Sequence, residues 1–323
     1  MLSELYYRFI SLTTVLFSNP AAIENISKFI ALFRVKASRR RFEIYREHLR
    51  RIFPNRTEKW YSDLLKSNWM VHERNLFAVF HSLRRKPGEL LQLTEWGNGR
   101  EELDRALNRG KGVLLLVPHF GDERNLHILM GIAGYDVHVM TSRYLDIPEY
   151  SRESRLRSGK QWNTLHFPDE NPRWMYRVLQ EGRILHYAPT AYGGPGGIWT
   201  QMFGVPVLVP SAPWKLQRRT GCAVFLAWCS HKPGMRYKIS FCKLDLPEDQ
   251  EGFTCAISHA IEELASMEPS QYEWKNLAIR HRETATIARL KYIPSDERIL
   301  EKEAVLEDNN PLIIHRNPLH SEL

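Results

Sequence analysis

Apolar positions along the chain follow one period before residue 99 and another after it. Leu2, Leu5, Tyr6 and Phe9 lie at helical spacing, and so do Ile23, Ile26, Phe29, Ile30 and Phe33, with the Asn19-Pro20 break between the two patches. The same spacing joins Phe42, Tyr45, Leu49, Ile52 and Phe53, which predicts a helix over 39–52 that Pro54-Asn55 ends. Thr57 and Glu58 can open a further helix, running toward Arg84-Arg85-Lys86 and stopped by Pro87-Gly88.

From residue 99 short apolar runs alternate with helical patterns. Glu101–Asn108 reads as a helix, Gly110-Lys111-Gly112 as a turn, and Val113–Val117 as a strand buried on both faces. A helix is predicted from about Asp122 to Ala133, then a strand over Val137–Met140. Further strands are predicted at Thr164–Phe167, Arg183–Ala188, Val205–Val209, Cys222–Cys229 and Tyr237–Cys242, with helices near 146–158, 172–181, 211–220 and 250–267. This alternation predicts an α/β fold: a largely parallel mixed sheet flanked by helices, preceded by a basic helical region. The expected organisation is a helical, membrane-facing region over 1–98, an α/β core over 99–292, and a loosely attached tail over 293–323, where Pro294, Asn309-Asn310-Pro311 and Asn317-Pro318 interrupt any pattern.

Charge sharpens this division. The 323 residues carry a net charge of +8, yet residues 1–86 alone hold 17 Lys and Arg against 7 Asp and Glu, so the remainder nets −2. The basic segment suits phosphates, acidic proteins or an anionic membrane surface. No stretch has the ~20 apolar residues of a membrane-spanning helix. Phe9–Phe17 could be a signal-peptide core, but Glu4 precedes it and the basic residues follow, which favours an interfacial or a buried helix. Cys222, Cys229, Cys242 and Cys255 have no metal-site spacing and are too few for a disulfide framework, in keeping with a reducing compartment.

Open α/β sheets bind ligands just past the carboxyl ends of their strands. His119 stands at such a point, after the 113–117 run and before Phe120-Gly121-Asp122-Glu123-Arg124. A histidine in a strand-to-helix turn with carboxylates one helical turn away can serve as a general base, and Gly121 permits a tight turn and close substrate approach. The plain alternative is a turn histidine, with Asp122 and Glu123 favouring the helix macrodipole.

Leu114-Leu115-Leu116-Val117-Pro118-His119-Phe120-Gly121 resembles the first motif of the bacterial lipid A biosynthesis lauroyl/myristoyl acyltransferases, within the lysophospholipid acyltransferase superfamily. Arg183–Pro189, Tyr192-Gly193 and Met202-Phe203-Gly204-Val205-Pro206 resemble a second block, and Lys215–Val224 a third. The likeness runs from about residue 40 to 285. It implies a lysophospholipid acyltransferase-like fold and direct transfer of a long-chain acyl group, from an acyl carrier protein or coenzyme A thioester, to a hydroxyl- or amine-bearing lipid. It further implies no bound cofactor or metal, and peripheral attachment at the cytoplasmic face of the bacterial inner membrane. His119 would be the base. The family's acid follows the histidine after four intervening residues, but here position 124 is Arg, and Thr190-Ala191 also lacks the acid usual there. One residue is a 100° rotation on a helix, so Glu123 or Asp122 supports His119 only if the turn is rebuilt; Glu123 is preferred.

The candidate substrate-binding residues are Gly121, Arg124, Arg143, Arg155, Arg157, Gly193, Phe203 and Gly204. Arg143, Arg152, Arg155 and Arg157 follow the second strand, and Arg124 could meet a substrate phosphate where the acid would have stood. His166-Phe167-Pro168-Asp169-Glu170 echoes the His119 segment, whereas His186 and His127 read as packed histidines. Gly193–Gly197 matches no nucleotide-binding pattern, and no Gly-x-Ser-x-Gly elbow occurs. Position 124 also motivates a second expectation, a non-catalytic lipid- or acyl-chain-binding or assembly protein of the same fold. Nucleic-acid binding through 39–51 is disfavoured, because the aromatics there recur at core spacing.

Overall fold

The computed structural model describes residues 2–17, 19–141, 160–167, 170–189 and 197–274. Helices α1 (Leu2–Leu16), α2 (Pro20–Ala37), α3 (Arg39–Ile52) and α4 (Glu58–Ser82) come first. Thr57 caps α4, its hydroxyl accepting from the Trp60 N–H at 3.2 Å. Pro87-Gly88 does not merely stop this helix: Pro87 opens α5 (Pro87–Gln92), where its missing N–H and fixed φ suit the first helical position. Then follow β1 (Thr94–Trp96), α6 (Arg100–Asn108), β2 (Val113–Leu116), α7 (Glu123–Ile132), β3 (Val137–Met140), β4 (Thr164–His166), α8 (Arg173–Gln180), β5 (Ile184–Tyr187), β6 (Ile198–Met202), β7 (Val205–Val209), α9 (Ala212–Thr220), β8 (Ala223–Lys232), β9 (Arg236–Lys243), α10 (Gln250–Met267) and a 3-10 turn over Pro269–Gln271. The helix expected near 146–158 and the tail over 293–323 lie outside the described residues.

The chain forms two compact units, one of residues 1–31, 70–189 and 212–245, the other of 32–69, 190–211 and 246–323. The first carries a seven-stranded sheet in the order β1-β9-β8-β2-β5-β3-β4. Neighbours run parallel except β8 and β9, which form an antiparallel hairpin. β2 lies inside, paired to β5 and β8, and all four of its residues are buried, as its unbroken apolar run requires. Val113, Leu115 and Val117 join Leu126, Leu129 and Met130 of α7 and Phe225, Ala227 and Tyr237 of the hairpin in the principal core.

A second cluster joins Ile10 of α1 and Ile23 of α2 to Leu76, Phe77 and Phe80 of α4 and to Met235. Arg74 ties the β8–β9 turn down, donating to the carbonyls of Lys232 at 2.6 Å and Arg236 at 2.9 Å. Glu24 holds the same turn by accepting from the N–H groups of Gly234 at 2.5 Å and Met235 at 3.2 Å. α1 has one buried side and one exposed apolar side. Ile10, Ser11, Thr13 and Thr14 are buried, while Leu5, Phe9, Leu12, Val15 and Leu16 are each at least half exposed.

In the second unit Val205–Val209 is a strand, as expected, but it does not join the parallel sheet. It pairs antiparallel with β6 through a two-residue loop, Phe203-Gly204, both at positive φ, the backbone that suits the right-handed twist of the flanking strands. Phe203 packs among Phe53, Tyr272 and Trp274. On α3, Phe42, Tyr45 and Leu49 are buried, and Arg46 and Arg50 pair with Glu43, Glu47 and Glu58.

Candidate functional site

The chain between β2 and α7 is longer than the sheet requires. Leu116 pairs with Leu226 and Gly121 bridges to Cys229 in parallel, so five residue steps on one strand match three on the other. The surplus is extruded at Pro118-His119-Phe120, where the Phe120 N–H closes a tight turn onto the Pro118 carbonyl at 2.8 Å. Val117 is fixed before it by the Tyr187 carbonyl at 2.9 Å, and Asp122 after it by the Cys229 carbonyl at 2.9 Å. Phe120 is 1% exposed and pins the excursion to the core, which leaves His119 at its apex with a side chain 28% exposed. Gly121 sits at φ +58°, where a side chain would be strained. Its carbonyl accepts from Asn75 Nδ2 of α4 at 2.7 Å.

The excursion leaves the sheet at the carboxyl end of β2. β2 leads through α7 to β3, beyond β5, whereas β5 leads on to β8, on the other side of β2.

Asp122 is the N-cap of α7, fully buried, accepting from the Asn125 N–H at 3.1 Å and from Asn125 Nδ2 at 2.8 Å. Asn125 Nδ2 also donates to Tyr237 Oη at 3.3 Å. Burial outweighs these bonds and lifts the Asp122 carboxyl to about 6. Glu123 is the first residue of α7, and its Oε1 lies 3.5 Å from His119 Nδ1 and 3.8 Å from Arg124 Nε. Burial alone would raise its pKa, but the hydrogen bond from His119 and the Arg124 charge together hold it well below the usual carboxylate range. With the turn in this form, the carboxylate at 123 lies beside the imidazole. Asp122 faces inward to its own helix.

The other predicted residues fall into three groups. Gly121 and Arg124 adjoin His119 and Glu123. Phe203 and Gly204 form the β6–β7 turn of the second unit. Arg143, Arg152, Arg155, Arg157 and Gly193 lie outside the described residues. His127 and His186 pack ring against ring, edge-on with centroids 5.3 Å apart. Burial lowers them to about 4 and about 3, against the opposing pull of the Glu123 charge. His186 is a core histidine, as expected, but not a satisfied one, since both its ring nitrogens are buried without a hydrogen-bond partner among the described residues. His166 is absorbed by structure: it is bonded to His138 at 3.0 Å and Glu170 at 2.8 Å and stacked on Trp174. Sequence reading missed Asn75, Asn125 and Tyr237. They come from α4, α7 and β9, carry no motif, and could have been flagged only as polar residues inside apolar stretches.

A family model described as bacterial lipid A biosynthesis acyltransferase matches residues 4–277. No curated protein matches the chain.

Proposed function

We propose direct acyl transfer for this chain, which belongs to the bacterial lipid A biosynthesis acyltransferase family and is on that ground an acyltransferase. The donor is a long-chain acyl thioester of acyl carrier protein or coenzyme A, and the acceptor a hydroxyl- or amine-bearing lipid. With Nδ1 turned toward Glu123, His119 Nε2 takes the acceptor's proton as the acceptor oxygen or nitrogen attacks the thioester carbonyl carbon. The carbon–sulfur bond then breaks, and the imidazolium returns the proton to the departing thiolate. Glu123 positions the ring and stabilises its charged form. Arg124 keeps Glu123 ionised, and backbone N–H groups or a nearby Arg meet the oxyanion. No metal or bound cofactor enters this scheme. The observation that carries it is the 3.5 Å approach of Glu123 to a partly exposed His119.

Attachment to the membrane is peripheral in this reading. Among the described residues no helix is long and apolar enough to cross a membrane, but the outward apolar stripe of α1, with Phe29 of α2 at 73% exposure, suits the interfacial zone of an anionic leaflet. Each such side chain taken out of water is worth up to roughly 1.5–3 kcal/mol, and the basic residues of the segment add to that. Thioester donors of this kind are cytoplasmic, so the proposed site faces the cytoplasmic side of the bacterial inner membrane.

The test is His119→Ala, assayed by transfer from an acyl thioester to a lipid acceptor. A general base contributes about 10²–10⁴ in rate, so turnover should fall by at least that lower figure while the melting curve stays put; a variant as active as the wild type would end the proposal. The Arg at position 124 favours a second reading, a non-catalytic lipid-binding or assembly protein of the same fold. A wild type that binds lipid vesicles but transfers nothing from any thioester would establish it.

A further inference from the structure

The sheet's opposite end carries a second site. A cavity of about 470 Å³ opens at the amino ends of β2 and β8, lined by Glu102, Arg105, Arg109, Lys111 and Lys243 around a floor of Ala106, Gly112, Gly221 and Ala223. It belongs wholly to the first unit. Its lining carries four cations against one carboxylate, a net of +3, in the part of the chain beyond residue 86 that nets −2. The C-terminal end of α6 accounts for part of this. Arg105 and Arg109 sit in and just past its last turn, where they offset roughly half a negative charge on the terminal carbonyls. Lys111 and Lys243 come from a different turn and a different strand and are in surplus.

The cations are also poorly neutralised. Lys243 pairs with Asp245 at 3.1 Å. Among the described residues, Arg105, Arg109 and Lys111 have no carboxylate within ion-pair distance. Gly110, Gly112 and Gly221 all lie at positive φ, and a side chain on Gly112 would run into the Leu179 carbonyl at 2.4 Å. Lys111 lies across the second turn, with its Nζ 4.0 Å from where a Cβ on Gly221 would stand. Two arginines and two lysines from three elements line the cavity, and guanidinium and ammonium groups match the oxygens of linked phosphates, which accept bidentate and single charge-assisted bonds alike. The volume falls in the range of small-ligand sites and exceeds what one phosphate fills.

We propose that this cleft binds a diphosphate-bearing anion, at a site separate from His119. From Gly112 to His119 is about 20 Å at ~3.3 Å per strand residue, so no single phosphate or reacting carbonyl occupies both positions. The proposal stands whether or not the chain transfers acyl groups. The diphosphate could belong to a soluble ester or to a lipid headgroup, and the experiment separates them.

The full chain is titrated calorimetrically with inorganic pyrophosphate. In parallel it is floated with phosphatidylcholine vesicles that either contain or lack a diphosphate-headgroup lipid. One saturable pyrophosphate site is expected, weakened at least tenfold in Arg109→Ala/Lys111→Ala and in Lys243→Gln, and unchanged in His119→Ala, with all melting curves close to wild type. If the double variant loses pyrophosphate but floats as before, the ligand is soluble. If it also loses the flotation that the headgroup confers, the ligand is a lipid. Absence of pyrophosphate binding, its survival in the double variant and in Lys243→Gln, or its loss in His119→Ala would overturn the assignment.

Discussion

Glu123 keeps its charge in a place where burial alone would neutralise it, and that charge belongs to the imidazole beside it. Replacing it by Gln keeps the shape but removes the charge that favours the protonated ring. Glu123→Gln should therefore lower kcat by about 10–100-fold and leave KM for the acceptor nearly unchanged, as steady-state transfer kinetics would show. Its neighbour behaves oppositely. Asp122 is lifted to about 6 by burial, so between the ordinary aspartate value and that point the folded protein holds a proton that the unfolded chain releases. The stability this gives is complete at low pH and is lost as the pH rises through about 6, amounting to no more than about 3 kcal/mol. Asp122→Asn should accordingly destabilise less at pH ~7.5 than at pH ~4.5, measured by denaturant unfolding. The role of position 123 was only half legible in the sequence. Counting residues put the carboxylate one position away from where the family carries it, and nothing in the letters tells that two residues bulge out before the helix begins.

At the scale of elements, α4 does more than pack. Its Asn75 carries the Gly121 carbonyl and so fixes one foot of the excursion that presents His119. Asn75→Ala leaves that carbonyl without its side-chain partner, a loss of about 1–3 kcal/mol. If the foot is released, kcat falls while the circular dichroism spectrum is kept. The β8–β9 turn depends similarly on Glu24. Burial works against its charge, but Lys28, Arg74 and the two turn N–H groups more than compensate and hold it ionised. Its contribution is in place above the ordinary glutamate range and is lost as the pH falls below it. Glu24→Gln should thus flatten the stability profile between about pH 6 and about pH 3. Elements were the most legible level of the sequence: the continuous apolar run of β2 and the spans of β3, α9 and α10 follow from local pattern. Partnership did not. Three-residue β1 is too short to show a period, and nothing local distinguishes β7, in its own hairpin, from a strand of the parallel sheet.

Across the whole molecule, charge and greasiness were visible in composition, but not which side of a helix they would occupy. α1 turns Ile10, Ser11, Thr13 and Thr14 inward and Leu5, Phe9, Leu12, Val15 and Leu16 outward, so its moment alone does not tell which side packs. Phe9→Asp/Leu12→Asp should abolish co-sedimentation with anionic vesicles while leaving the melting curve within a few degrees of wild type, because neither residue is in a core. If the double variant still pellets with vesicles, the stripe is not the anchor. The slack in the chain ahead of α7 has a broader meaning. How much backbone the preceding bend swallows sets the rotational phase of that helix, so a deletion of one residue there would swing the acid out of reach without altering a single functional letter. Spacing in the letters and reach in space are therefore separate quantities, and only the length of the bend converts one into the other.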